Sequence, residues 1–529
     1  MKTFVLLQPL MIAKLLKHNK WMLAYLMWVC GLIIVYSTFV SDPDDRKDLI
    51  VYNCLFSVLL PLLFIFITGW VRKVGLILFS LLALAPSLVE TGWFIIDQSV
   101  LIRNQLWAIF ATNPAETSGF LSMVQWWQWL LLGCYLCITI TLLVMTLRES
   151  NTPTNYVPSV IAGVLVILLL LIPGIRYNVP CVNFYNSYRG YVAEVQLAKT
   201  FMQNRQNLDG VVSNELADSS ATVVVVIGES LNRKHSSLYG YCRQTNPKLE
   251  KRKDIVAYRN VQSADFMTQT VLQQVLSFAT DEDPKARWNK PTLPELLNAA
   301  GWHTYWYDPY EGRMNTSNTT PTSFQAIAKL CTTFHLSGED EQYDETHLSH
   351  LEDVLQDSVA TRKAVFLHLI GNHFPYERRY PQSFTYFSDE DICSPYLDKL
   401  SAKQKKVIDA YDDAVRYNDW LIDSVLNRLS QQSGSCALLY FPDHGEEVFD
   451  DDFYAGRSYN HITRSLYEIP CIFWQNEEYA TNHPLYIDEE KAYCTNGMIH
   501  TLLDLFALSY VEKDTCRSLF RRDCQIINE

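Results

Sequence analysis

Residues 222–230 read Thr-Val-Val-Val-Val-Ile-Gly-Glu-Ser. Four valines and an isoleucine in succession make a strand that is apolar on both faces. That is the pattern of a central strand in a parallel sheet covered by helices on either side. The run ends in a carboxylate, Glu229, and in open α/β sheets chemistry collects at the carboxyl ends of the strands. A second apolar run, Cys436 to Phe441, leads into Pro442-Asp443-His444-Gly445. Two buried strands that each deliver hard metal ligands at their C-terminal ends predict a metal site across one edge of the sheet.

From Ala221 onward, short apolar strands alternate with helical patterns, which predicts a mostly parallel sheet with helices on both faces. Further strands are expected at 303–307, 364–370 and 469–474, and helices at 268–279, 293–300, 401–431 and 496–507. In the 401–431 segment Val407, Ala410, Ala414, Trp420, Leu421, Val425 and Leu429 fall roughly on one helical face.

The chain has 529 residues, too many for one ordinary core. Its first part has a different composition. Apolar runs at 21–40, 49–70, 74–96, 125–147 and 157–175 are each long enough to span a bilayer. With so few charges, five buried core helices are the weaker reading. The expected organisation is an all-α five-helix transmembrane domain over 1–175, a connector with an amphipathic helix over 176–220, and an α/β domain over 221–529. Trp21, Trp70, Trp126 and Trp127 stand at the ends of runs, as in an interfacial belt. Lys14 interrupts the apolar stretch Phe4 to Leu16, and no small-residue cleavage site follows, unlike a secretory signal.

Basic residues set the expected orientation. Lys2, Lys14, Lys17 and Lys20, then Arg72 and Lys73, then Arg148 all fall on one side of five spans, and the opposite loop, Ser41 to Asp48, is rich in Asp. This places the N-terminus in the cytoplasm and the large C-terminal part outside the cytoplasmic membrane. Ten Lys/Arg and eight Asp/Glu precede residue 176, whereas the whole chain carries −13. The acidic excess therefore lies in the C-terminal part and argues against nucleic acid as a partner. Nine of the 13 cysteines lie there too, none in a Cys-x-x-Cys pair, which argues against a zinc ribbon, and disulfides are expected. Cys516 and Cys524 would close a short loop. Cys436 and Cys471 sit in apolar strands as small hydrophobes.

Thr268 falls where a helix should begin, after Ser263-Ala264-Asp265-Phe266-Met267. A hydroxyl there is ordinarily an N-cap. A helix N-terminus is also a phosphate site, and a hydroxyl nucleophile is activated by metal coordination. With Glu229, Asp443 and His444, Thr268 would complete a four-coordinate, oxygen-rich set with one imidazole. Such a set suits Zn²⁺ and also accepts Mn²⁺.

Several motifs in order carry a resemblance. Ile-Gly-Glu-Ser is followed by Ser237-Leu238-Tyr239-Gly240-Tyr241, Arg243, Thr245 and Pro247; Val365 to His373 ends in His-Leu-Ile-Gly-Asn-His; Asp443-His444-Gly445-Glu446-Glu447 comes last. The chain resembles, over nearly its whole length, the membrane-bound phosphoethanolamine transferases of Gram-negative bacteria, with Pro442 in place of the usual serine. Leu272-Gln273-Gln274 resembles most closely the branch that modifies the lipopolysaccharide core. The resemblance implies an inner-membrane enzyme with a periplasmic catalytic domain of the alkaline-phosphatase/sulfatase type. It implies Thr268 as a nucleophile that carries phosphoethanolamine from phosphatidylethanolamine to an envelope acceptor, and zinc held by Glu229, Thr268, Asp443 and His444. His373 would contact the phosphoryl group or protonate the leaving oxygen. Thr112 and Glu116 would help bind the substrate head group.

Departures from the family pattern bear on the acceptor. Ala108 replaces an asparagine of the lipid A-modifying branch, and the serine and lysine of that branch are not evident in Trp306 to Arg313. For the family's last site histidine, His461 is the nearby candidate. His368 reads as a buried strand residue, Glu446 and Glu447 as hydrogen-bonding groups near the site, and Asp450-Asp451-Asp452 as an exposed loop. Two other functions stay open on the residues alone: a glycerol-phosphate transferase or sulfatase-type hydrolase on the same fold, and a non-catalytic protein that binds envelope glycans.

Overall fold

The structure, a computed structural model, describes residues 16–37, 55, 59–65, 67–97, 106, 109–110, 121, 124–149, 157–172, 180–203, 208, 212–214, 220–308, 324–337, 343–388, 391–458 and 461–522. It divides into two compact units, Met1–Ala193 and Glu194–Glu529.

The helices of the first unit are α1 (Lys20–Ser37), α2 (Gly69–Asp97), α3 (Trp126–Arg148) and α4 (Val157–Leu170), and α5 (Pro180–Gln203) runs across the division. Among the described residues one helix, α3, is long and apolar enough to cross a membrane, and α4 is a shorter apolar helix. Leu130, Leu131, Ile138, Ile140 and Val144 of α3 are exposed, a surface that water disfavours. The expected spans 21–40, 49–70 and 157–175 run partly outside the described residues. Glu149, just past α3, accepts from the Trp21 backbone N–H at 2.8 Å and pairs with Arg72 at 3.3 Å. It thereby satisfies one of the N–H groups that the first turn of α1 leaves without a partner.

The second unit is built on seven strands: β1 (Ala221–Gly228), β2 (Ile255–Tyr258), β3 (His303–Asp308), β4 (Thr333–Leu336), β5 (Arg362–His368), β6 (Ser435–Pro442) and, after the hairpin β7 (Glu447–Val448) and β8 (Ala455–Gly456), β9 (Cys471–Gln475). The sheet order is β2-β9-β6-β1-β5-β3-β4. From β6 to β4 every pairing is parallel. β9 runs antiparallel to β6, and β2 antiparallel to β9, so one edge departs from the parallel pattern.

Both faces of β1 are buried, as its composition predicts. Val223, Val225 and Ile227 enter one core with Val271, Leu272 and Val275 of α6 (Thr268–Val275). Val224 and Val226 enter the other core, with Leu351 of α7 (Thr346–Gln356) and Leu421, Ile422 and Val425 of α8 (Ala402–Leu429). Each such side chain contributes about 1.5–3 kcal/mol of burial. Ser401 caps α8 and its Gln404 completes a capping box, which starts the helix where the sequence pattern does. The expected helix 268–279 ends at Val275, because Ser277 turns its hydroxyl back onto the Gln273 carbonyl and the Ala279 N–H.

Register sets the level of the site. Ile227 lies opposite His368 and Gly228 opposite Pro442, so three neighbouring strands stop together. The turn after β5 then locks onto the end of β1. Leu369 donates to the Ile227 carbonyl at 2.8 Å and Asn372 to that of Glu229 at 2.9 Å. Gly371, at φ +49°, is where only glycine fits: a Cβ would lie 2.8 Å from the backbone N and O of Glu229.

Candidate active site

Glu229, Asp443 and His444 converge at the ends of β1 and β6. All three are buried, and their ligand atoms lie within 4.8 Å of one another. His444 Nε2 is 3.3 Å from Glu229 Oε1 and 3.2 Å from Asp443 Oδ2. The Thr268 hydroxyl donates to Glu229 Oε2 at 3.0 Å and lies 3.3 Å from His444 Nε2. Thr268 is the first residue of α6, after the N-cap Met267, and caps nothing. Of its two sequence readings, the N-cap is therefore not realised. The Asp265 carboxylate holds the Phe266 and Met267 N–H groups at 2.6 and 3.1 Å, which fixes the entry into the helix.

The local sequence explains how the ligands are aimed. The Asp443 Oδ1 atom accepts from the N–H of Ser230 at 3.2 Å and of His444 at 2.7 Å, so its other oxygen faces the cluster. Gly445 follows because a Cβ there would sit 2.0 Å from the Ser465 carbonyl. His444 Nδ1 donates to the Gly445 carbonyl at 2.7 Å, leaving the Nε2 lone pair for the cluster, the arrangement seen when histidine binds metal. Asp443 Oδ2 is buried with no hydrogen-bond partner. An unsatisfied acceptor costs about 1–3 kcal/mol, more when charged. Burial and the neighbouring Glu229 push the Asp443 carboxyl up to about 7. Glu229 is itself raised by burial, but His444 and Arg457 hold it well below the ordinary carboxylate range. Acceptors converging on acceptors with one oxygen unsatisfied fit a bound metal cation.

His373, in the turn after β5, is pushed down to about 4 by burial, with Glu229 nearby opposing the shift. Its Nδ1 donates to the Phe374 carbonyl at 2.8 Å, so its neutral ring presents Nε2 as an acceptor. His368 is buried at the end of β5, with Nδ1 2.8 Å from Asp308 Oδ1. Thr112 and Glu116 lie outside the described residues.

His461 is bonded to Asp452 at 2.6 Å and stacked on Tyr454 at 4.2 Å between centroids. The downstream residue that reaches the cluster is Arg457. Its Nη2 is 3.7 Å from Glu229 Oε1, and its Nη1 touches His444 Nε2. Where the sequence predicts a histidine, the residue that reaches the cluster is this arginine, thirteen positions beyond His444. Glu446 and Glu447 are buried hydrogen-bonding groups: Glu446 accepts from Tyr376 Oη at 3.1 Å, and Glu447 from the Asp450 and Asp451 N–H groups at 2.6 and 3.1 Å. The expected exposed loop Asp450-Asp451-Asp452 is only partly that. Asp450 is 3.2 Å from His235 Nε2, and Asp451 pairs with Lys234. A disulfide joins Cys242 to Cys393. Cys516 is also disulfide-bonded, and Cys524 lies outside the described residues. Cys436 and Cys471 are buried thiols.

Comparison with known proteins gives four findings. The sequence profile of the sulfatase family matches residues 221–508. Phosphoethanolamine transferase EptC of Escherichia coli strain K12 is 28% identical over 535 residues, covering 94% of this chain and 91% of that protein. The crystal structure of the C-terminal periplasmic domain of E. coli EptC in complex with Zn is 30% identical, with a TM-score of 0.53, covering 59% of this chain and 88% of that one. The integral membrane lipooligosaccharide phosphoethanolamine transferase A of Neisseria meningitidis shares the fold along 95% of this chain and 97% of its own, with a TM-score of 0.63 and 19% identity.

Proposed function

Because the chain belongs to the sulfatase family and is a phosphoethanolamine transferase, we propose that it moves phosphoethanolamine from phosphatidylethanolamine to an envelope acceptor, the lipopolysaccharide core, through a covalent intermediate on Thr268. The carrying observation is the Thr268 hydroxyl donating to Glu229 Oε2 at 3.0 Å beside the Asp443–His444 pair. Glu229, Thr268, Asp443 and His444 hold zinc in this reading. When bound, the metal lowers the pKa of the hydroxyl and offsets charge on the phosphoryl oxygens.

In the first half-reaction the Thr268 oxygen, its proton drawn toward Glu229, bonds to phosphorus. The bond from phosphorus to the diacylglycerol oxygen breaks, and that oxygen takes up the proton released by Thr268. In the second, the acceptor hydroxyl gives up its proton and bonds to phosphorus, and the bond to Thr268 breaks. His373, neutral near pH 7 with Nε2 as the free acceptor, is suited to take the acceptor's proton. Burial of the cluster excludes water, which would hydrolyse the intermediate. In this reading the first unit anchors the enzyme in the bacterial inner membrane and the catalytic domain faces the periplasm, so that a lipid donor never leaves the bilayer.

Intact mass spectrometry after incubation with phosphatidylethanolamine tests this. Wild type is expected to gain one phosphoethanolamine and Thr268→Ala none. A wild type that contains zinc but takes up no adduct overturns the reading in favour of a glycerol-phosphate transferase or a hydrolase.

A further inference from the structure

Arg457 belongs to none of the ligand roles above, yet it is the one guanidinium that reaches the cluster among the described residues. The β7–β8 hairpin brings it there. Gly456 pairs with Glu447 across the hairpin and takes φ +117°, a conformation that glycine adopts freely, and Arg457 follows it back to the mouth of the site. Its guanidinium is anchored on two sides. Nε lies 3.3 Å from Glu446 Oε2, while Tyr376 holds the other Glu446 oxygen at 3.1 Å. Nη1 donates to the Phe266 carbonyl at 3.1 Å, two residues before Thr268. The remaining reach is toward Glu229 and His444. The Arg457 side chain is 20% exposed, whereas those of Glu229, Asp443 and His444 are 3% or less. Arg457 thus stands, with the half-buried Thr268, on the open side of the cluster.

We propose that Arg457 is a substrate-binding residue that grips a non-bridging oxygen of the phosphoryl group, in the donor and again in the Thr268 intermediate. This rests on the phosphoryl-transfer reading of the site. The argument is one of charge. A divalent cation on Glu229, Asp443 and His444 and a guanidinium 3.7 Å from the same Glu229 oxygen share one carboxylate between three positive charges, so a further anion between them is favoured. A phosphodiester has two non-bridging oxygens, one for each cation. The planar fork of arginine matches that geometry, and its charge does not titrate in the working range. If Arg457 merely neutralised Glu446, it would need only the Nε contact and not the carbonyl anchor that holds its Nη nitrogens beside Glu229 and His444.

The test uses the full-length, zinc-loaded enzyme and compares wild type with Arg457→Ala and Arg457→Lys. Three readings are taken: zinc stoichiometry, the Kd for inorganic phosphate, and the rate of adduct formation with phosphatidylethanolamine. Both variants are expected to keep one zinc per site. Arg457→Ala should weaken phosphate binding about tenfold or more, since it removes charge-assisted hydrogen bonds. It should slow adduct formation about 10²–10³-fold, the typical effect of removing one charge-stabilising donor, and added guanidinium should restore part of the rate. Arg457→Lys should recover less than wild type, lacking the fork. Unchanged phosphate affinity with an unchanged adduct rate overturns the proposal, and so does loss of zinc, which would make Arg457 a positioning residue for the ligands. Should Arg457→Ala fail to fold, Arg457→Lys decides by the same readings. A wild type that forms no adduct yet binds phosphate in an Arg457-dependent way would sink the donor assignment and leave this inference standing.

Discussion

Two buried clusters of charge lie side by side in the second unit, and Asn232 touches both: its amide donates to the Glu446 carbonyl at 3.0 Å and to Asp450 Oδ2 at 2.9 Å. In one, His235 sits between Asp412 at 2.6 Å and Asp450 at 3.2 Å, and Arg243 reaches Asp409 at 2.7 Å and Asp412 at 2.8 Å. Donors there meet acceptors throughout. In the other, Glu229, Asp443 and His444 turn acceptors toward one another with Thr268 and Arg457 as the donors beside them, and Asp443 Oδ2 still has no hydrogen-bond partner. The raw chemistry is the same, carboxylates with histidine and arginine. A network that closes on itself needs no ligand and fixes a scaffold; one that leaves an oxygen pointing inward calls for a cation.

That contrast can be broken by mutation. Asp443→Asn should take the largest toll on function. Loss of an outer partner of a metal site already costs about 10–100-fold in affinity, so loss of a ligand should exceed about 100-fold. Zinc content after dialysis and turnover would both report it, with the unfolding transition kept. A variant that holds zinc as wild type does would remove Asp443 from the ligand set.

Arg243→Ala should do the reverse. Breaking one side of a buried pair destabilises by about 3–5 kcal/mol, seen in urea unfolding, while the folded fraction keeps its zinc. Loss of zinc without loss of stability would erase the distinction between the clusters.

A smaller effect sharpens it. Burial disfavours the His235 cation, but Asp450 and Asp412 outweigh burial and raise His235 from 6.5 to about 10. A raised histidine contributes stability that is complete below pH 6.5 and is lost as pH climbs toward 10, because only the folded state holds the proton in that window. The slope from this group is at most about 1.4 kcal/mol per pH unit. Unfolding free energies measured across pH 6–10 should fall in wild type and flatten in His235→Gln. The smallest effect is expected for His461→Ala. Its partners are Asp452 and Tyr454 at the surface, so stability should move by about 0.5 kcal/mol or less and turnover should stay near wild type. A large loss of turnover would bring His461 back toward the substrate.

How much of this was legible beforehand differs by element. β1 and β6 were read almost to the residue, because a strand buried on both faces announces itself by composition. α8 was equally plain, from its apolar face and its Ser401 start. β2, β4 and α7 were missed. Ile255–Tyr258 and Thr333–Leu336 are four residues each and half-buried, so they carry too little apolar contrast to stand out. In α7, His347 and His350 interrupt an apolar face that rests on Leu348, Leu351 and Val354. β9 was placed as a strand, but its antiparallel direction was not foreseen, since side-chain alternation is the same whichever way a strand runs.

The sequence by itself determined the elements whose cause is local. These are the valine strand and its glutamate, the Asp443-His444 pair that follows the second apolar strand, and the apolar N-terminal runs that set the first unit apart. Only the tertiary structure decided what stands beside what. It set Thr268 against Glu229 across 39 residues of chain, and it tied Asp450 to the buried His235 and Asp451 to Lys234 at the surface. It also put Arg457, not His461, at the cluster. The reason is physical: periodicity and turn chemistry act over a few residues, whereas strand register and the return path of a hairpin are fixed by packing the whole sheet. Distant side chains become neighbours only once that packing is complete.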